Sequence, residues 1–126
     1  MAIFLKIEID QDIYLAELKT KLHLGRGRHN DVVIQDRNVS QNHCLIILEV
    51  DGIYLKDLDS KNGTFVNNTL IGHHRIGHDD VITIGEKTRI SFVAEKLTKS
   101  EYIRIGTSSI NPNTIQSLTL PKIVKK

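Results

Sequence analysis

Short runs with a period of two dominate this chain. Ile3, Leu5, Ile7 and Ile9 alternate with Phe4, Lys6 and Glu8, the spacing a strand with one buried face requires. Comparable runs follow at 22–24, 32–34, 44–50, 53–55, 64–66, 81–84 and 89–92. Turn-forming pairs separate them: Asp51-Gly52, Asn62-Gly63, Asn67-Asn68 and Gly85-Glu86. Asp51-Gly52 is the clearest hairpin signal, because that pair tolerates the positive φ of a type I′ turn. Residues 13–18 fit a strand or one helical turn and are too short to decide. Many short strands with no long helix predict an all-β sandwich or barrel. The pattern changes near Ala94: residues 95–126 are rich in Lys, Ser, Thr and Asn and contain both prolines. Tyr102-Ile103-Arg104-Ile105 reads as one more strand, and 106–116, without apolar periodicity, as a loop or flexible tail. The expected division is a domain over 1–95 and a C-terminal extension over 96–126.

Composition narrows the picture. A chain of 126 residues, 40% hydrophobic and 25% charged, is one ordinary domain with one core. No apolar run approaches the roughly 20 residues of a membrane-spanning helix, and the amino-terminal stretch is not a secretory signal. Met1 reads as a natural start, although the chain could equally be a piece of a longer protein. The single cysteine, Cys44, excludes an intramolecular disulfide and sits in an apolar run, where a free thiol is a small core residue. A reducing, cytoplasmic setting is expected. The net charge of +2 and an aromatic content of 5% argue against a nucleic-acid surface.

Two constellations invite catalytic or metal readings. Ser40 and His43, with Asp57 or Asp59, contain the residue types of a hydrolase. Nothing marks a nucleophile elbow or a separate oxyanion loop, so no enzyme is expected. His73, His74 and His78, with Asp79 and Asp80, lack zinc spacing and any accompanying cysteine. They read as a solvated loop, and no metal or cofactor is expected.

Four polar clusters carry the positive signal: Gly25-Arg26, Ser40-Gln41-Asn42-His43, Asn62-Gly63-Thr64 and Asn67. Each falls between apolar runs, hence on a loop. Glycines on both sides of Arg26 allow a sharp turn and close backbone approach to a ligand. Arginine there offers two parallel N–H donors to phosphate oxygens, which lysine cannot match. Ser40 adds a neutral donor, and Arg28 biases the surroundings toward anions.

In this order, and with flanks Asp31-Val-Val-Ile34, Asp57-Leu-Asp-Ser-Lys61 and Asp80-Val-Ile-Thr-Ile-Gly85, the clusters resemble the signature of forkhead-associated (FHA) domains over roughly residues 3–93. The resemblance implies a β-sandwich of about eleven strands with binding loops at one end. It also implies a phosphothreonine-dependent adaptor in Ser/Thr kinase signalling, monomeric or weakly dimeric. Its partner would be a phosphothreonine-containing protein, such as a kinase or a kinase substrate. By resemblance Arg26 pairs with the phosphate, Ser40 hydrogen-bonds it and Asn62 holds the peptide backbone. Lys61 and Gln41 stand where the family often adds phosphate contacts, and neutral Gln41 should make a weaker one. Asn38 falls where residues reading the third position after the phosphothreonine are often found. Its neutrality argues against a strong preference for an acidic residue there. Gly25, His43, Gly63 and Asn67 would structure the loops, with Asn68 in the place of a usual glycine. The rival function is an FHA-like scaffold or oligomerisation domain that binds partners independently of phosphate.

Overall fold

The computed structural model describes residues 3–93 and the short strand Ile123–Val124. The expected strand at 102–105 and the tail at 106–116 lie outside the described residues. Eleven strands fill the first span: β1 (Ile3–Ile9), β2 (Asp12–Leu18), β3 (Lys21–Gly25), β4 (Val32–Val33), β5 (Cys44–Glu49), β6 (Gly52–Asp57), β7 (Thr64–Val66), β8 (Thr69–Ile71), β9 (His73–Ile76), β10 (Val81–Ile84) and β11 (Thr88–Phe92). Ile123–Val124 forms β12. None of the described residues is helical, so no helix among them could cross a membrane.

The strands form two sheets. One has the order β12-β2-β1-β11-β10-β7-β8 and the other β4-β3-β5-β6-β9, the first an antiparallel array. Only the β3–β4 pair, with Leu24 opposite Val32, runs parallel among the described strands. The period-two pattern decides which residues meet. Leu5 and Ile7 of β1, Ile90 of β11, Ile82 and Ile84 of β10 and Val66 of β7 line one inner face. Leu22, Leu24, Cys44, Ile46 and Leu55 line the other, and the two faces join in one core cluster. Burial pushes the Cys44 thiol pKa upward, with the Asp57 carboxylate adding to it, so the sulfur is an unreactive core group.

Residues 12–18 are a strand. Its core-facing positions, Tyr14, Ala16 and Leu18, pair with Ile7, Leu5 and Ile3. Two expectations need correction. The β5–β6 hairpin pairs Glu49 with Gly52, so its turn is Val50-Asp51 rather than Asp51-Gly52, and neither turn residue has positive φ. A β-branched Val50 strongly resists that conformation. The I′-type geometry occurs at Asn67-Asn68, with φ of 50° and 69° at the two residues between Val66 and Thr69. Secondly, His73 and His74 lie in β9 at the edge of the five-stranded sheet, paired with Lys56 and Leu55, not in a loop. Their exposed strand has little buried face to impose alternation, which is why the sequence pattern hid it.

Candidate functional site

At one end of the sandwich the β3–β4, β4–β5, β6–β7 and β10–β11 loops converge. β3 delivers Arg26 to the first of them. The Arg26 amide donates to the Ser40 carbonyl (2.9 Å) and the Gly27 amide to the Gln41 carbonyl (3.1 Å). Buried Asn30 reinforces the junction, its side-chain nitrogen donating to the carbonyls of Gly27 (2.8 Å) and Gln41 (2.6 Å). The approach is too close for a side chain at Gly25: a Cβ would lie 2.3 Å from the Gln41 carbonyl oxygen. Gly25→Ala should therefore cost about 1–3 kcal/mol, as overpacking does, and shift Arg26. Thermal unfolding measures it, and an unchanged midpoint would show that the loops part easily.

Arg26 is exposed, and its Nε donates to the Val39 carbonyl (2.9 Å). Its four other N–H groups make no hydrogen bond to the described residues, so they remain available to an anion. The Ser40 hydroxyl oxygen accepts from the Lys61 amide (2.9 Å), which leaves its own proton to donate outward. Asn62 donates through Nδ2 to the Asn38 carbonyl (3.0 Å), leaving its side-chain oxygen as an acceptor. Asn38 in turn donates through Nδ2 to Glu86 Oε1 (3.1 Å). Direct hydrogen bonds thus bring Arg26, Asn38, Ser40, Lys61 and Asn62 onto adjoining loops. Gln41 is exposed, with its side chain over Gly27, a neutral amide where a cation would strengthen an anion site.

The interior supports of this surface are polar. His43 is fully buried. Its Nδ1 accepts from the Ser40 amide (2.9 Å), so Nε2 carries the proton and donates to the Gly63 carbonyl (2.9 Å). One imidazole therefore clasps the Ser40 loop to the Asn62-Gly63 loop. Because both ring nitrogens are taken by backbone, His43 does not act as a base on the Ser40 hydroxyl. Gly63 has a φ of +93°, in the region that favours glycine, and its amide donates to the Ser60 hydroxyl oxygen (3.0 Å). Asp57 accepts from the Ser60 hydroxyl, the Ser60 amide (3.1 Å) and the Thr64 hydroxyl (2.6 Å). Burial alone would raise its pKa, but these donors hold it below the ordinary carboxylate value. Asn67 lies apart, on the β7–β8 turn, where its side chain accepts from the Val81 amide (3.0 Å) and donates to Asp80 (2.8 Å).

Sequence reading missed Asn30 and Asp36. Asp36 is 2% exposed and accepts from the amides of Asn38 (3.0 Å), Glu86 (3.1 Å) and Lys87 (3.0 Å) and from the Thr88 hydroxyl (2.8 Å). Burial acts to raise its pKa, and the four donors outweigh it, leaving the carboxyl below its ordinary value of 3.8. It fastens the β10–β11 turn to the β4–β5 loop across about fifty residues of sequence, which no local pattern reveals. Among the described residues no group of three or more His, Cys, Asp or Glu is arranged to hold a metal ion.

The FHA domain model matches residues 22–85, a span from β3 to the end of β10 that contains all four polar clusters. The chain belongs to the FHA domain family. This FHA domain is 34% identical over 64 residues to the ABC transporter ATP-binding/permease protein Rv1747 of Mycobacterium tuberculosis, covering 51% of this chain and 7% of that protein. It is 33% identical over 94 residues to the ovarian-specific serine/threonine-protein kinase Lok of Drosophila melanogaster, covering 63% and 20%. The chain thus spans a small part of the curated relatives it matches. Among solved structures, one from a structural and functional study of phosphothreonine-dependent FHA domain interactions superposes with a TM-score of 0.68 at 28% identity, covering 77% of this chain and all of that one. FHA domains are known as binding modules that use arginine to read phosphorylated motifs.

Proposed function

We propose that this FHA domain is a phosphothreonine-dependent protein-binding module in Ser/Thr kinase signalling, acting in the cytoplasm as an adaptor and not as an enzyme. The observation that carries the reading is the pair Arg26 and Ser40 on adjoining loops. The guanidinium keeps four N–H donors available, and the Ser40 hydroxyl has its oxygen occupied by the Lys61 amide and its proton to give. A phosphate monoester brings about −1.5 to −2 charges and three acceptor oxygens, which match such donors. Lys61 adds a cation, and the Asn62 carboxamide oxygen suits a peptide N–H beside the phosphoresidue. Likeness to a structure studied for phosphothreonine-dependent FHA domain interactions, and to a serine/threonine-protein kinase, supports this choice of ligand. The unit is one domain over about 1–95 followed by an extension.

The test is calorimetric titration of one peptide in threonine and phosphothreonine forms. Each hydrogen bond to a charged group contributes about 1.5–3 kcal/mol, so the phosphorylated form should bind at least about a hundredfold tighter. Neutral Gln41 is the observation that favours a phosphate-independent scaffold, and equal binding of the two forms would establish that reading instead.

A further inference from the structure

The outer faces of the two sheets carry their charge differently. On the seven-stranded sheet Lys6 and Arg89 both pair with Glu8, at 3.2 and 3.5 Å. On the five-stranded sheet the registers set Lys21, Ile47, Tyr54 and Arg75 side by side in one row, and His23, Leu45, Lys56 and His73 in the next. Because Leu22, Leu24, Ile46, Leu55 and Ile76 point into the core, these alternate positions point outward. Leu45 and Ile47 of β5 and Tyr54 of β6 are half-buried and form an apolar strip along the middle of the face. Around the strip Lys21, Lys56 and Arg75 are exposed and make no hydrogen bond or ion pair among the described residues. Arg75 is nevertheless placed: a Cβ at Gly52 would lie 2.5 Å from its Nε, so its side chain crosses bare glycine backbone. The rings of Tyr54 and His73 meet at a centroid separation of 5.5 Å.

We infer that this flank of the sandwich is a second interaction surface, which takes an acidic segment of a partner protein carrying apolar side chains among its carboxylates. Three permanent cations surround an apolar strip, and the complementary surface has carboxylates around apolar groups. The acids already nearby do not satisfy those cations. Asp31 is committed to His23, accepting from its amide at 2.7 Å and facing its ring at 3.4 Å. Asp51 accepts from the Tyr54 hydroxyl (3.0 Å), and Glu49 shares that end of the face; neither pairs with Arg75 among the described residues. Each row crosses four strands about 4.8 Å apart, and the two rows lie about 7 Å apart. The face thus measures about 14 Å by 7 Å, room for four or five residues of an extended segment. An anionic bilayer would also attract three cations. The fully exposed Val50, however, stands between Glu49 and Asp51, whose carboxylates oppose insertion of that tip into anionic lipid. The surface works without phosphate and does not depend on the reading of Arg26 and Ser40.

The probe is an unphosphorylated peptide of about ten residues, glutamates interspersed with leucines, long enough to cross the face. Its counterpart carries lysine in place of glutamate. Titrated into the isotope-labelled whole chain at low salt and followed by NMR, the glutamate peptide should shift the amides of Leu45, Ile47, Tyr54, Lys56 and Arg75, leaving those of Arg26, Ser40 and Asn62 in place. Lys56→Glu with Arg75→Glu should weaken it at least about tenfold, through two attractions lost and two repulsions gained, and a thermal melt reports that the variant is folded. Lys21→Glu alone, at the other end of its row, should weaken it about threefold. The preference for glutamate over lysine should largely vanish in about 0.5 M salt. Equal binding of the lysine peptide, shifts confined to the Arg26 end, no shift at all, or charge reversal without effect would overturn the inference. So would phosphatidylserine vesicles that engage these residues when the glutamate peptide does not, which would assign the face to lipid.

Discussion

Arg26→Ala should lose at least about a hundredfold in affinity for a phosphothreonine peptide while the domain remains folded. A guanidinium that meets phosphate oxygens through two parallel N–H bonds contributes about 3–6 kcal/mol, at about 1.5–3 kcal/mol per charge-assisted bond, and about 1.4 kcal/mol is a factor of ten. Gln41 beside it is neutral, and the Arg26 guanidinium itself is held in place through Nε by the Val39 carbonyl. Lysine at position 26 should recover only part of the loss, because an ammonium is a point charge without the planar fork. The internal loss is a single hydrogen bond at an exposed side chain, about 1 kcal/mol of stability. Calorimetry gives the affinities and a thermal melt of the same sample reports the fold. Equal affinity of variant and wild type would remove Arg26 from the binding site.

The second large effect concerns stability. Asp36→Ala should destabilise the domain by about 3 kcal/mol or more, lowering the midpoint of thermal unfolding by roughly 10 °C. It removes the acceptor for the amides of Glu86, Lys87 and Asn38 and for the Thr88 hydroxyl, which is itself fully buried. Each buried donor left without a partner is costly, whereas a surface carboxylate would be dispensable. A melt within 2 °C of wild type, about 0.5 kcal/mol, would show that water replaces the carboxylate freely. The same residue gives the pH dependence its sign. The folded pKa values of Asp36 and Asp57 lie below the ordinary 3.8, so the folded state binds fewer protons than the unfolded state in that range. Their contribution is complete above the unfolded value and is lost as pH falls through the lower folded values. Stability should hold from neutral pH to about 4 and then decline, less steeply in Asp36→Asn.

The sandwich and its recognition loops could be read from the sequence where one residue alone determined the outcome. Strands with a buried face announced themselves by alternation, as in Ile3 to Ile9 and Val81 to Ile84. Gly25-Arg26 and Asn62-Gly63 stood out because close approach and positive φ restrict the residue that can serve. Edge strands did not show. Thr69–Ile71 and His73–Ile76 are mostly exposed, and solvent imposes no period on their side chains. Asp-Gly is compatible with several turns, and at β5–β6 it is Val50, which resists positive φ, that decides against type I′. Asp36 and Asn30 were invisible for a different reason. A buried polar residue is recognised by its partners, and some of theirs are remote in sequence: Gln41 for Asn30, and Thr88 at the start of β11 for Asp36.

The clasp made by His43 also has a kinetic meaning. Because one buried imidazole holds the Ser40 and Gly63 loops together before any ligand arrives, docking needs no prior loop rearrangement. Observed rates of complex formation should rise linearly with peptide concentration, without the plateau that a slow opening step produces. Differences among partners should then appear as differences in residence time. A reader built this way would follow a kinase's rising output without a lag for loop opening, and its memory of the signal would last as long as each bound phosphopeptide stays.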